Sequence, residues 1–212
     1  MNETHVSSPK AEPFSAALAV AAGIDFAELR VGSAGLFWNE YRPQDAACRL
    51  WHWRDDQAHC LTPSGFSVRS RVYEYGGGAF CLSDDGVVFV NEADQQLYRQ
   101  ALDGSAPRAL TVGTCRYGDV QWFDGQVIAV EEQADQHRLV SIHANTLERQ
   151  VLAEGADFYA APTLSPDGQR LAWIEWSRPH QPWTATRLML AEGQIDGHWS
   201  AAHCIAGDLS EE

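Results

Sequence analysis

Residues 165–175 read Ser165-Pro166-Asp167-Gly168-Gln169-Arg170-Leu171-Ala172-Trp173-Ile174-Glu175, a turn closed by glycine and then an apolar run ending in glutamate. The same pattern occurs three more times, as Gly35-Leu-Phe-Trp-Asn-Glu40, Gly86-Val-Val-Phe-Val-Asn-Glu92 and Gly125-Gln-Val-Ile-Ala-Val-Glu131. The glycines are 51, 39 and 43 residues apart. The turns before three of them are alike: Ser83-Asp84-Asp85-Gly86, Phe123-Asp124-Gly125 and Ser165-Pro166-Asp167-Gly168. Asp-Gly supplies the positive φ of a tight hairpin, so each turn is expected to join two antiparallel strands.

Two further repeats flank the first. Arg49-Leu50-Trp51, Gln96-Leu97-Tyr98, Arg138-Leu139-Val140 and Arg187-Leu188-Met189 keep a leucine in step at intervals of 47, 42 and 49. His59-Cys60-Leu61-Thr62, Arg108-Ala109-Leu110-Thr111, Gln150-Val151-Leu152-Ala153 and His203-Cys204-Ile205-Ala206 close the units. With the runs Glu28–Val31, Gly78–Leu82, Asp119–Phe123 and Ala161–Ser165 ahead of the glycine turns, each unit has four short strands. A four-stranded unit repeating every ~40–50 residues is a propeller blade. The fold class is all-β, a β-propeller of four-stranded antiparallel blades with about four blades present. They are placed at 25–63, 78–111, 119–153 and 160–206, after an N-terminal arm over 1–24 and before a C-terminal tail over 208–212. The one helical signal is Phe14–Ala22, opened by Pro13 and closed by Gly23.

Composition narrows the function classes. Of the 212 residues 45% are hydrophobic and 21% charged, which excludes a disordered or fibrous chain. No apolar run approaches the ~20 residues of a membrane span, and Glu3 and Glu12 around Lys10 do not make the basic start of a secretory leader. The expectation is a cytoplasmic protein without a membrane partner. A net charge of −14 repels phosphate backbones, so nucleic acid is not expected as a partner. Five cysteines (Cys48, Cys60, Cys81, Cys115, Cys204) with no C-x-x-C pair read as reduced packing residues.

In a blade whose strands run outward from the axis, the crossovers between blades and the loops between second and third strands share one face. The chemically rich segments all fall there: 69–78 (Arg-Ser-Arg-Val-Tyr-Glu-Tyr-Gly-Gly-Gly), 116–119 (Arg-Tyr-Gly-Asp), 157–160 (Asp-Phe-Tyr-Ala) and 176–183 (Trp-Ser-Arg-Pro-His-Gln-Pro-Trp). Arginine, tyrosine and carboxylate converging at an inner rim can hold a peptide terminus through charge-assisted hydrogen bonds. Arg71, Glu74, Tyr75, Asp157 and Tyr159 are the candidate substrate-facing residues. The plainer reading has Arg71 and Glu74 pairing with each other and the rings padding gaps between blades. Gly76-Gly77-Gly78 is not a phosphate loop, since no G-K-[ST] follows. His198 and His203, five apart on an expected strand, face opposite ways, and no metal or other cofactor is expected. Glu131-Glu132 reads as a solvated edge without an acid/base role. Only Ser67 has a glycine two before it, and Arg69 stands where a nucleophile elbow needs the second glycine, so no catalytic residue is assigned.

Tyr73–Phe80, Asn91–Gln100, Gly155–Pro162 and Leu164–Trp173, with Trp38-x-Glu40-x-Arg42-Pro43 and Pro182-Trp183, together resemble the N-terminal propeller of the prolyl oligopeptidase family of serine peptidases. The match is to its acylaminoacyl-peptidase or dipeptidyl-aminopeptidase-like branch and spans about Pro13 to Gly207. The resemblance implies a larger, commonly seven-bladed propeller that admits short peptides. It also implies a C-terminal α/β-hydrolase domain carrying a Ser-Asp-His triad. That domain has no counterpart among these residues, so the expectation is a propeller fragment that gates and lines a peptide chamber. The alternative is a self-contained four-bladed module that binds a partner.

Overall fold

The computed structural model describes residues 23–193 and 199–207, as sixteen strands in four antiparallel sheets. The first blade contains β1 (Asp25–Gly32), β2 (Gly35–Arg42), β3 (Ala47–Arg54) and β4 (Gln57–Cys60). A long crossover with one 3-10 turn, Val72–Glu74, leads to β5 (Phe80–Leu82), β6 (Gly86–Val90), β7 (Leu97–Ala101) and β8 (Arg108–Ala109). The third blade is β9 (Arg116–Phe123), β10 (Gln126–Gln133), β11 (Gln136–His143) and β12 (Arg149–Glu154). The fourth is β13 (Phe158–Leu164), β14 (Arg170–Trp176), β15 (Arg187–Glu192) and β16 (His203–Ala206). Within each blade the strands pair in chain order, and the first strands of successive blades are neighbours, which puts β1, β5, β9 and β13 innermost. The chain is a β-propeller of four described blades. The expected helix Phe14–Ala22, the C-terminal tail and His198 lie outside the described residues.

Alternation along the strands sends one set of side chains toward the preceding blade and the other toward the following one. Three buried clusters result. Phe37 and Leu50 meet Phe80, Val87 and Phe89 between the first and second blades. Val88, Val90 and Leu97 meet Val127, Ala129 and Val140 between the second and third. Ile128, Val130 and Leu139 meet Leu171, Trp173 and Met189 between the third and fourth. Among the described residues no such cluster, hydrogen bond or ion pair joins the first blade to the fourth. Val31, Leu36 and Trp53 stand exposed on the first blade, and Leu188 and Ile205 on the fourth.

The repeated glutamate is explained by pairing. Glu40, Glu131 and Glu175 are buried, and each holds an arginine: Arg42, Arg149 at 2.6 Å and Arg187 at 2.7 Å. Glu92 takes Arg71 at 2.9 Å. A carboxylate buried in or just past the second strand of a blade is tolerable only with such a partner. Glu131, expected as a solvated edge, is therefore a core residue, since its arginine comes from β12 and Tyr117 Oη donates a further hydrogen bond at 3.2 Å.

The glycine turns divide into two kinds. Gly125 and Gly168 have φ of 77° and 68°, as the hairpin argument requires. Gly86 does not adopt a positive φ. A Cβ there would lie 2.0 Å from the Gln100 carbonyl oxygen, so this glycine serves the close approach of β7. All five cysteines are free, and no helix of the described residues is long and apolar enough to cross a membrane.

Candidate functional site

Each inner strand holds, or in β5 is preceded by, a residue in left-handed conformation: Glu28 (φ 54°), Gly78 (φ 54°), Asp119 (φ 49°) and Ala161 (φ 52°). At three of them the register with the neighbouring strand shifts, which marks a β-bulge. The carboxylates at these positions cap the next blade. Glu28 accepts the Ala79 N–H at 2.8 Å, and Asp119 accepts the Ala161 N–H at 3.0 Å. Burial pushes the Glu28 carboxyl upward despite that bond. At Gly78 a Cβ would lie 2.4 Å from Asp119 Cα, so only glycine fits. Segments 116–119 and 158–160, expected as crossovers, are instead the first residues of β9 and β13, because the bulge lets the strand begin before the left-handed residue.

On the face carrying the crossovers and the β14–β15 loop, the starts of β9 and β13 border a cleft of about 760 Å³. That volume is within the range of small-ligand sites. The crossover contributes Tyr73 to Gly77, the start of β13 Phe158 to Ala160, and β14 with the loop after it Trp176, Arg178, Gln181, Pro182 and Trp183. The β10–β11 hairpin adds Glu132, Asp135 and His137.

Tyr73 fastens the site. Its hydroxyl donates to the Tyr159 carbonyl at 3.2 Å and accepts the Tyr159 N–H at 3.0 Å, bridging a crossover and a strand 86 residues apart in sequence. Its own N–H donates to Glu132 Oε2 at 2.9 Å. The ring meets His137 and Phe158 edge-on at 4.8 and 5.2 Å, and Phe158 stacks on Trp176 at 5.2 Å. These contacts hold Tyr73 and Glu74 at φ of 57° and 65°, a conformation that costs a non-glycine residue ~1–2 kcal/mol. Burial drives the Tyr73 phenol well above the ordinary tyrosine range, so it is a neutral donor and acceptor.

The expected site residues separate. Glu74, Tyr75 and Tyr159 line the cleft, whereas Arg71 and Asp157 do not. Arg71 and Glu74 do not pair with each other. Arg71 is drawn away to Glu92, and Glu74 pairs with Arg116, whose hydrogen bond and charge hold the Glu74 carboxyl below the ordinary range. Asp157 braces the loop: Oδ2 accepts the Arg178 N–H at 2.8 Å, and its carbonyl takes the His137 ring nitrogen. Tyr159 is wholly buried, its hydroxyl accepts the Ala156 N–H, and burial pushes the phenol up to about 12. Tyr75 is 95% exposed.

Tyr73, Glu132 and His137 were not assigned to the site from sequence. The same rule of faces, applied to the β10–β11 turn as it was to the β14–β15 loop, would have found the last two. The cleft is lined by rings, four carboxylates (Glu74, Asp119, Glu132, Asp135), His137 and one arginine, with no serine, threonine or cysteine. That set suits holding and orienting a ligand.

Fold and cleft together define a β-propeller with a ligand-sized site on its loop-rich face, and solved structures that resemble it include parts of two puromycin-hydrolysing enzymes. A puromycin-hydrolysing peptidase of Mycobacterium tuberculosis superposes with a TM-score of 0.83 at 31% identity, over 94% of this chain and 33% of its own. A puromycin hydrolase superposes with a TM-score of 0.80 at 26% identity, over 93% of this chain and 34% of its own. This chain thus spans about a third of the length of these peptidases, and the resemblance to the propeller of the prolyl oligopeptidase family holds in three dimensions. TolB from Acinetobacter baumannii, at 13% identity and a TM-score of 0.56 over 82% of this chain, shares the fold. No protein-family model and no curated protein matches the sequence.

Proposed function

We propose that this chain is propeller wall of a cytoplasmic serine peptidase of the prolyl oligopeptidase type. In this reading it gates and lines the chamber for short peptides, while an α/β-hydrolase domain outside these residues supplies the nucleophile and its partners. The observation that carries the reading is the 760 Å³ cleft on the loop-rich face of a propeller that matches two puromycin-hydrolysing enzymes. Glu74 and Tyr75 face the ligand, while Arg71, Asp157 and Tyr159 position the segments that bear them. Four carboxylates against Arg178 at the lining disfavour anionic ligands. Puromycin, the compound named for both relatives, is the first substrate to try beside aminoacyl and acyl-aminoacyl peptides. The contrasting reading, a closed four-bladed binding module, is disfavoured by first and fourth blades that do not meet among the described residues.

The test is hydrolysis of these compounds by the 212-residue chain and by the full product of its gene in the source cell. Turnover by a heavier full product and none by the chain is the expected result. A full product inert toward all of them, or a native product of 23.4 kDa, overturns it.

A further inference from the structure

We infer that the cleft selects ligands bearing an aromatic ring, and that Tyr75 and Trp183 are its specificity-determining residues; the inference rests on the cleft being the ligand site proposed above. Other rings around it are already engaged: Tyr73 with His137 and Phe158, Phe158 with Trp176, and Arg178 over Phe158. Tyr75 and Trp183 are the two most exposed aromatic residues among those described, at 95% and 80%. Neither has a ring partner or a side-chain hydrogen bond among the described residues, and both line the cleft, Tyr75 from the crossover and Trp183 from the loop after β14. Their backbones are nonetheless pinned. Tyr75 is bounded by the left-handed Glu74 and the Glu74–Arg116 pair, and by the Gly76 N–H on the Val72 carbonyl at 2.9 Å. Trp183 lies within a turn tied by the Gln181 N–H on Thr184 Oγ1 at 2.8 Å and the Thr184 N–H on the Gln181 carbonyl at 2.9 Å.

Pinned backbones presenting free rings to a ligand-sized space provide stacking faces that no described residue uses. An aromatic ring packed against either gains offset or edge contacts that an aliphatic group of the same charge cannot make. Each such contact is worth roughly threefold to tenfold in Kd.

The experiment is ligand-observed NMR titration of the chain, sensitive to millimolar Kd, with L-phenylalaninamide and L-alaninamide, which carry the same charge. Tyr75→Ala, Trp183→Ala and the off-cleft control Trp53→Ala are compared, their folding verified by circular dichroism. All three rings are exposed, so the substitutions leave the core intact. Phenylalaninamide is expected to bind roughly tenfold tighter or more. Tyr75→Ala and Trp183→Ala each weaken it roughly threefold to tenfold while leaving alaninamide and the Trp53→Ala protein unchanged. Equal binding of the two amides, with no response to either substitution, overturns ring selection and leaves the cleft as a ligand site. Binding of neither amide overturns the site itself, and the inference with it.

Discussion

Removing one oxygen from Tyr73 is the sharpest probe of how the site is held. The inner strand β13 has β14 on one side and no strand on the other, so main-chain groups of Tyr159 that turn toward the axis need a partner from elsewhere. The Tyr73 hydroxyl serves both, at 3.0 Å to the N–H and 3.2 Å to the carbonyl. Tyr73→Phe keeps the ring packing against His137 and Phe158 but leaves both groups unpaired. An unmet buried polar group costs ~1–3 kcal/mol. Tyr73 itself is half-buried, so water can reach part of the gap, and a total of ~1–3 kcal/mol is expected. For a chain of this size that corresponds to a fall in Tm of roughly 3–10 °C. Tyr75→Phe is the matched control. It deletes the same atom from a residue that is 95% exposed, and it should change stability by under ~0.5 kcal/mol. Urea denaturation followed by tryptophan fluorescence measures both. Equal stabilities for the two variants would refute the bridge.

Arg149→Ala should cost ~3–5 kcal/mol in the same assay, because Glu131, 2% exposed, then keeps only Tyr117 and the more distant Arg138. Arg149→Ala with Glu131→Gln should recover part of the loss by removing the stranded charge. Burial pushes the Glu92 carboxyl up, but the Ser67 hydroxyl and the guanidinium groups of Arg71 and Arg69 pull it below the ordinary range. Its folded-state pKa is thus depressed, so its stabilisation is present above the unfolded value of ~4.3 and lost as pH falls through the folded one. Glu92→Gln should therefore flatten the acid limb of stability against pH, and an unchanged limb would exclude Glu92 as a contributor. Val31, Leu36 and Trp53 form exposed apolar surface on the first blade. Sedimentation velocity should show association that rises with concentration and diminishes in Val31→Lys with Trp53→Glu; a wild-type monomer at all concentrations would count against it.

The blades were legible in the sequence because a propeller repeats its chemistry at the same place in every unit. Glycine turns, in-step leucines and terminal glutamates each mark one strand, and even the runs beginning at Glu28, Gly78, Asp119 and Ala161 start on the left-handed residues. The loop-rich face followed from strand order alone. What could not be read was which polar groups meet across blades. Arg71 and Glu74, three apart in sequence, suggested a pair. The left-handed turn at Tyr73 and Glu74 instead sends them to Glu92 and Arg116, and nothing in the local residue types announces such a turn. Tyr159 reads from sequence as substrate-facing or as padding between blades, and alternation along β13 turns its ring wholly inward. The part Tyr73 plays has no local signal, since it depends on a strand 86 residues away.

The in-step leucine shows where a repeat stops carrying information. Leu50, Leu97 and Leu139 are 1%, 0% and 0% exposed, each pressed against the blade that follows. Leu188 holds the same place in the pattern and is 36% exposed. The reverse holds on the other faces. Trp38 donates to Glu40 at 3.0 Å and Trp173 to Glu175 at 2.9 Å, two copies of one arrangement, each with an arginine on the glutamate. Trp173 is 1% exposed beneath the third blade, whereas Trp38 is only half-buried against Trp51, with Arg42 over the Trp51 ring. Identical local chemistry therefore gives a core residue or a surface one according to whether a blade lies against it. Burial here belongs to the contact between units, and a leucine that a blade would cover is apolar surface wherever no described residue reaches it.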